Sequence, residues 1–307
     1  MTTEIRDAGA RITTDTHRER VEIAHLDGVN LAYETFGDPD DPAILLVMGL
    51  GTQMLGYHEQ FCEMLADTGH HVIRFDNRDS GLSTHWPDDP PSLPNMVMRR
   101  RAPYSIADMA GDAEQLVDHL GLKRFHLVGT SMGGFIAQTM AIDRPERIRS
   151  LTLVMTSTGS RRVGRPTPTV MARMARAEAP VDRTSAIEAQ VETYRIVGSP
   201  NLDEDDVRTV AGWSWDRNPR GTGRIRQLAA ILAQPNRTAH LRKLDVPTLV
   251  VHGLADPLVT PSGGLALADA IPDATFIGHQ GMGHDLTRSM WQPLGRDLLA
   301  HIEHRGR

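Results

Sequence analysis

The chain has 307 residues, 40% hydrophobic and 23% charged, which suits one large domain with an insertion and is too apolar for global disorder. Its net charge of −6 argues against nucleic acid as the main partner, because phosphate binding needs a clustered excess of Lys and Arg. The single cysteine, Cys62, excludes an intrachain disulfide and a cysteine-based zinc site.

Residues 1–19 are polar without period and read as an N-terminal arm. They lack the apolar core of a signal peptide, and the longest apolar run, Ala43 to Leu50, is too short to span a bilayer. A cytoplasmic protein is therefore expected. Val21–Ala24 and Val29–Tyr33 alternate around Asp27-Gly28 as a hairpin would. Ala43–Met48 is continuously apolar, as a strand buried on both faces should be, and runs into Gly49-Leu50-Gly51. A helix is expected around Tyr57–Asp67, a strand at His71–Phe75, a proline-rich loop from Trp86 to Pro94, and a helix at Ile106–Leu120 stopped by Gly121.

Phe125–Gly129 is the next strand, followed at once by Thr130-Ser131-Met132-Gly133-Gly134 and a helical pattern closing near Pro145. Leu151–Val154 is another strand. From Thr156 to Arg220 the alternation stops, with helical patterns at Val170–Glu178 and Ala186–Ile196, and a mostly helical cap is expected there. Arg224–Leu244 reads as helix, Pro247–Gly253 as strand, Gly264–Ala270 as helix, Ala274–Ile277 as strand, and a last helix runs to about His304. Strands alternating with helices imply a mainly parallel sheet with helices on both faces. The core is then residues 20–155 and 221–307, with the cap at 156–220. The short basic runs Arg99-Arg100-Arg101 and Arg161-Arg162 read as solvated loop charge.

Gly129-Thr130-Ser131-Met132-Gly133 is G-x-S-x-G in a strand–turn–helix context, the setting in which a serine is exposed as a nucleophile at the carboxyl edge of a sheet. A serine hydroxyl needs a base, and the base needs a carboxylate to fix its tautomer. Asp256 follows the Pro247–Gly253 strand and reaches the same edge, whereas Met155-Thr156-Ser157 after the preceding strand offers no acid. An Asp-Pro turn is the alternative role for Asp256. Among 14 histidines, His284 in Gly281-Met282-Gly283-His284-Asp285 is favoured because the flanking glycines permit a loop over the sheet edge. His279 is the rival, while His126 and His252 lie in strands and read as structural. The N–H groups of Met132 and Leu50 are the candidate oxyanion donors. Met54, Met155, Trp213 and Trp215 are candidates for the substrate pocket, although Met and Trp at such spacings also suit a core.

With these motifs in view, the chain from about Val21 to Ile302 resembles the serine branch of the α/β-hydrolases. The resemblance implies an α/β-hydrolase fold, a mostly parallel eight-stranded sheet with an inserted helical cap. Within it, Val72–Ser83 and Val47-Met48-Gly49-Leu50-Gly51 resemble the aclacinomycin methylesterase-like carboxylesterases, which cleave a carboxylic methyl ester on a polyketide. Two positions depart from most relatives: Met48 stands where His is usual, and Asp79 where Gly is usual. The expected activity is hydrolysis of a carboxylic ester of a small to medium apolar substrate through an acyl-enzyme. No cofactor and no metal are expected, and a homodimer is left open. A lactonase, an amidase, a carbon–carbon bond hydrolase, a cofactor-free haloperoxidase or a non-catalytic receptor on the same fold are the alternatives.

Overall fold

A computed structural model describes residues 20–305, apart from 88, 93–94, 97–101, 175, 177–179 and 220–222. The expected arm over 1–19 and the Arg99-Arg100-Arg101 run lie outside the described residues. The sheet has eight strands: β1 (Glu22–Leu26), β2 (Val29–Phe36), β3 (Ala43–Val47), β4 (His71–Phe75), β5 (Phe125–Thr130), β6 (Ile148–Val154), β7 (Thr248–Gly253) and β8 (Thr275–His279). Their order is β1-β2-β4-β3-β5-β6-β7-β8, with β1 and β2 antiparallel at one edge and the remainder parallel.

The continuous apolar runs explain the layering. In β3 every residue is buried, and successive side chains go to opposite faces. Leu45 and Val47 join one core, lined by α2 (Ile106–His119) and α3 (Met132–Asp143) through Ile106, Met109, Ile136 and Met140. Ile44 and Leu46 join the other, lined by α1 (Glu59–Ala66) and the C-terminal helix (Arg288–Arg305) through Phe61, Leu65, Leu294 and Leu298. Each such side chain contributes about 1.5–3 kcal/mol relative to exposure, so a polar residue in β3 would be costly on either face.

Between β6 and β7 stand α4 (Pro168–Met174), α5 (Arg183–Val197), α6 (Glu204–Arg217), α7 (Gly223–Ala233) and the short α8 (Thr238–Leu241). The expected continuous helix over Arg224–Leu244 is instead α7 and α8. Pro235 has no N–H to donate and disfavours helix at Gln234, and across the break Arg237 Nη1 donates to Gln234 Oε1 at 2.6 Å. The remaining helices are α9 (Ser262–Ala270) and α10 (Arg288–Arg305). Among the described residues no helix is long and apolar enough to cross a membrane.

Candidate active site

The chain leaves β4 and crosses over β3 to reach β5, so the strand order reverses between β3 and β5. A crevice opens outside the carboxyl ends of strands at such a reversal. Val47 pairs with Gly129, Thr130 with Val154, and Val154 with Val251, which brings the residues after β3, β5, β6 and β7 to one edge.

Ser131 links β5 to α3 with φ 55 and ψ −116, a conformation that L side chains rarely adopt. The local sequence permits it. A β-carbon on Gly129 would collide with the Gly133 carbonyl, and one on Gly133 with the Val47 carbonyl, so strand, turn and helix meet only through glycine. The turn is pinned by Ser131 N–H donating to Val154 O at 2.9 Å and by Thr156 Oγ1 donating to Ser131 O at 2.8 Å.

His284 Nε2 stands 3.0 Å from Ser131 Oγ, and its Nδ1 stands 2.6 Å from Asp256 Oδ2. The other carboxylate oxygen of Asp256 accepts from the N–H groups of Leu258 and Val259 at 2.8 and 2.9 Å, which orients the acid toward the imidazole. The Asp-Pro turn and the histidine partner are thus one arrangement rather than alternatives. The rival His279 pairs with Asp297 at 2.8 Å. His252 is fully buried and donates Nε2–H to Val259 O, while His126 shares a bond with Ser150 Oγ.

Gly49 abuts the serine, since a β-carbon there would lie 3.2 Å from Ser131 Cβ. Met132 is the first residue of α3, where an N–H has no acceptor within the helix. The Gly49–Met54 turn is held from several sides, by Asn77 Nδ2 on Met48 O at 3.0 Å, Asp76 Oδ1 on Met54 N at 2.7 Å, and Gln227 Oε1 on Gly51 N at 2.7 Å. The first residue of α3 and the turn after β3 thus both border Ser131.

The profile described as "alpha/beta hydrolase fold" matches residues 42–286. This chain belongs to the α/β-hydrolase family. It is 29% identical over 302 residues to the rhodomycin D methylesterase DauP of Streptomyces sp. (strain C5), covering 90% of this chain and 95% of the relative. It is 28% identical to 3-oxoadipate enol-lactonase 2 of Acinetobacter baylyi (strain ATCC 33305 / BD413 / ADP1), covering 81% and 84%. The crystal structure of the esterase RhEst1 from Rhodococcus sp. ECU1013 shares its fold with a TM-score of 0.73 at 21% identity, covering 93% of this chain and 99% of that one.

Two features of this α/β-hydrolase explain its departures from the family pattern. Asp79 has φ 67, the left-handed region where glycine is favoured. An aspartate is held there by Arg226 Nη2 at 2.7 Å, Tyr104 OH at 2.6 Å and Trp86 N at 2.9 Å. Burial alone would raise its pKa, but these donors outweigh burial and hold the carboxyl below the usual range. Met48 is buried in the core lined by α1 and the C-terminal helix, and its carbonyl, rather than its side chain, ties the turn after β3 to Asn77.

The residues singled out for a pocket have different surroundings. Met54 and Met155 are almost wholly buried, Met155 with φ 48. Trp213 tilts over His58, which in turn lies 4.8 Å from the Trp291 ring. Trp215 is half-buried on α6.

The sequence reading missed the polar residues that connect the inserted helices to the site. Ser199, in the α5–α6 loop, accepts from Gly283 N at 2.9 Å and donates to Asp285 Oδ1 at 2.7 Å, and its own N–H meets the same oxygen at 2.7 Å. His284 N–H donates to Val197 O at 2.7 Å. The histidine loop is therefore clasped by the insertion. Burial raises the Asp285 pKa against the opposing pull of these Ser199 bonds. Asp76 takes Arg217 at 2.8 Å from the end of α6, a second tie between insertion and core.

Proposed function

We propose that this chain is a serine carboxylic ester hydrolase working through an acyl-enzyme, with Ser131 as nucleophile, His284 as general base and acid, and Asp256 as the group that orients His284. The observation that carries the reading is the unbroken line from Asp256 Oδ2 through His284 to Ser131 Oγ, with contacts of 2.6 and 3.0 Å. His284 takes the Ser131 proton as Oγ attacks the ester carbonyl, and the developing oxyanion is met by the N–H groups of Met132 and Leu50. His284 then protonates the leaving alcohol. Water enters, gives a proton to His284 and attacks the acyl-enzyme, and His284 returns that proton to Ser131 Oγ as the acid leaves. Base assistance of this kind is worth roughly 10²- to 10⁴-fold, and each oxyanion donor about 3 kcal/mol.

The likeness to a methylesterase and an enol-lactonase supports an ester or an internal ester as the scissile bond. In this reading residues 156–220 are the cap that shapes the pocket, with Met54, Met155, Trp213 and Trp215 as candidate walls, and the enzyme works in the cytoplasm on a small molecule. The test is Ser131→Ala. The variant should fold as the parent does, fail to react with a fluorophosphonate and lose turnover of p-nitrophenyl acetate. Retained turnover would sink the assignment.

A further inference from the structure

Among the described residues three arginines lie between the end of α6 and the first turns of α7, and they differ in kind. Arg217 is buried against Asp76, and Arg226 is buried against Asp79. Arg224 is exposed, and among the described residues no carboxylate pairs with it. Its stem lies on the oxyanion turn: a β-carbon on Gly51 would stand 3.2, 2.9 and 3.1 Å from its Cβ, Cγ and Cδ. Gly51 has φ 64, so the position suits glycine twice over, by backbone and by the arginine above it.

The charge of Arg224 is felt in the insertion. Its electrostatic neighbour is Tyr194 of α5, and Tyr194 in turn senses Asp285, the residue after His284. Arg224 thus lies over the turn that carries Leu50, the turn that borders Ser131 through Gly49. Burial lowers its pKa although the side chain keeps solvent access. Burial, followed by Asp285, pushes the Tyr194 phenol up to about 12, so it stays neutral and supplies no counter-charge. An arginine beside the turn after β3, with no carboxylate paired to it among the described residues, is open to an anion that arrives from solution.

We propose that Arg224 recognises a carboxylate on the substrate, so that the preferred esters are half-esters: molecules with an ester carbonyl at Ser131 and a free carboxylate a short carbon chain away. The inference rests on the ester-hydrolase reading and adds the substrate class. A planar guanidinium grips a carboxylate with two parallel bonds, whereas a neutral ester end gains nothing comparable there.

The experiment compares monomethyl adipate with dimethyl adipate, as the ratio of their kcat/KM values, in the native enzyme, Arg224→Met and Arg224→Lys, with p-nitrophenyl acetate as a neutral reference. The native enzyme should favour the half-ester. Arg224→Met should cut the ratio by roughly 10- to 100-fold, mainly through a higher KM for the half-ester, and Arg224→Lys should recover part of it. A native enzyme with no preference for the half-ester, or a ratio unchanged in Arg224→Met, overturns the proposal while leaving the ester reading intact. A native enzyme that turns over none of the three esters overturns both.

Discussion

Ser131 and its partners are short-range chemistry built on long-range geometry, and each member can be tested for the role its contacts assign. Asp256 presents one oxygen to two backbone N–H groups and the other to His284 Nδ1. Asp256→Asn keeps the shape and one acceptor but lets His284 adopt the wrong tautomer, so kcat should fall by about 10⁴-fold with little change in melting temperature. Steady-state kinetics with circular dichroism checks this, and a loss under tenfold would remove Asp256 from the proposed triad. Ser131, Asp256 and His284 were legible in the sequence because each sits in a loop at a strand's carboxyl end with glycine or proline within two residues. Asn77, Asp76 and Gln227 were not. Each is an ordinary polar residue whose importance lies in a partner on a distant element: Met48 O, Met54 N and Gly51 N. Asp79 was marked only as a departure, since nothing local reveals that Arg226 and Tyr104 converge on it.

At the level of elements, pattern reading succeeded where burial is one-sided or complete and failed where tertiary packing decides. The buried strands stood out as apolar runs. Helix α6, Glu204–Arg217, did not, because its composition is polar and its stability comes from packing on α5. Its start was nonetheless marked: Asp203 caps it by accepting from Asp206 N, and three acids fill the first turn. The loop between α5 and α6 holds the histidine loop through Ser199, a contact between elements far apart in the chain. Ser199→Ala removes the hydroxyl that serves both Gly283 N and Asp285, leaving a buried N–H without its acceptor. The expected cost is about 1–3 kcal/mol of stability. Because the hydroxyl positions His284 without touching substrate, kcat on p-nitrophenyl acetate should fall several-fold while KM holds. Urea unfolding and steady-state kinetics measure the two effects. An unchanged kcat would mean that the clasp stabilises the loop without aligning it.

Across the whole molecule, the buried histidines couple folding to pH. His70, His71, His126 and His252 all have lowered pKa values, chiefly because burial disfavours the charged ring, and His126 is brought down to about 4. When the folded pKa lies below the unfolded value, the unfolded chain binds more protons between the two, so stability is full above the unfolded pKa and falls as pH drops. For His126 that window runs from about 6.5 down to about 4. At pH 5 its share of the loss is about 2 kcal/mol. Asp79 has its pKa lowered, so its contribution disappears only at more acid pH than this window. Asp112, Asp206 and Asp285, with raised values, bind protons more readily when folded and offset part of the loss. Absolute stability at one pH therefore mixes opposing groups, and the informative quantity is a difference between two proteins. His126→Gln keeps a polar partner for Ser150 Oγ but cannot take up a proton. Urea unfolding at pH 7 and pH 5 should show the native protein losing about 2 kcal/mol more than the variant on acidification. Equal losses in the two proteins would show that His126 takes up its proton as readily in the fold as outside it.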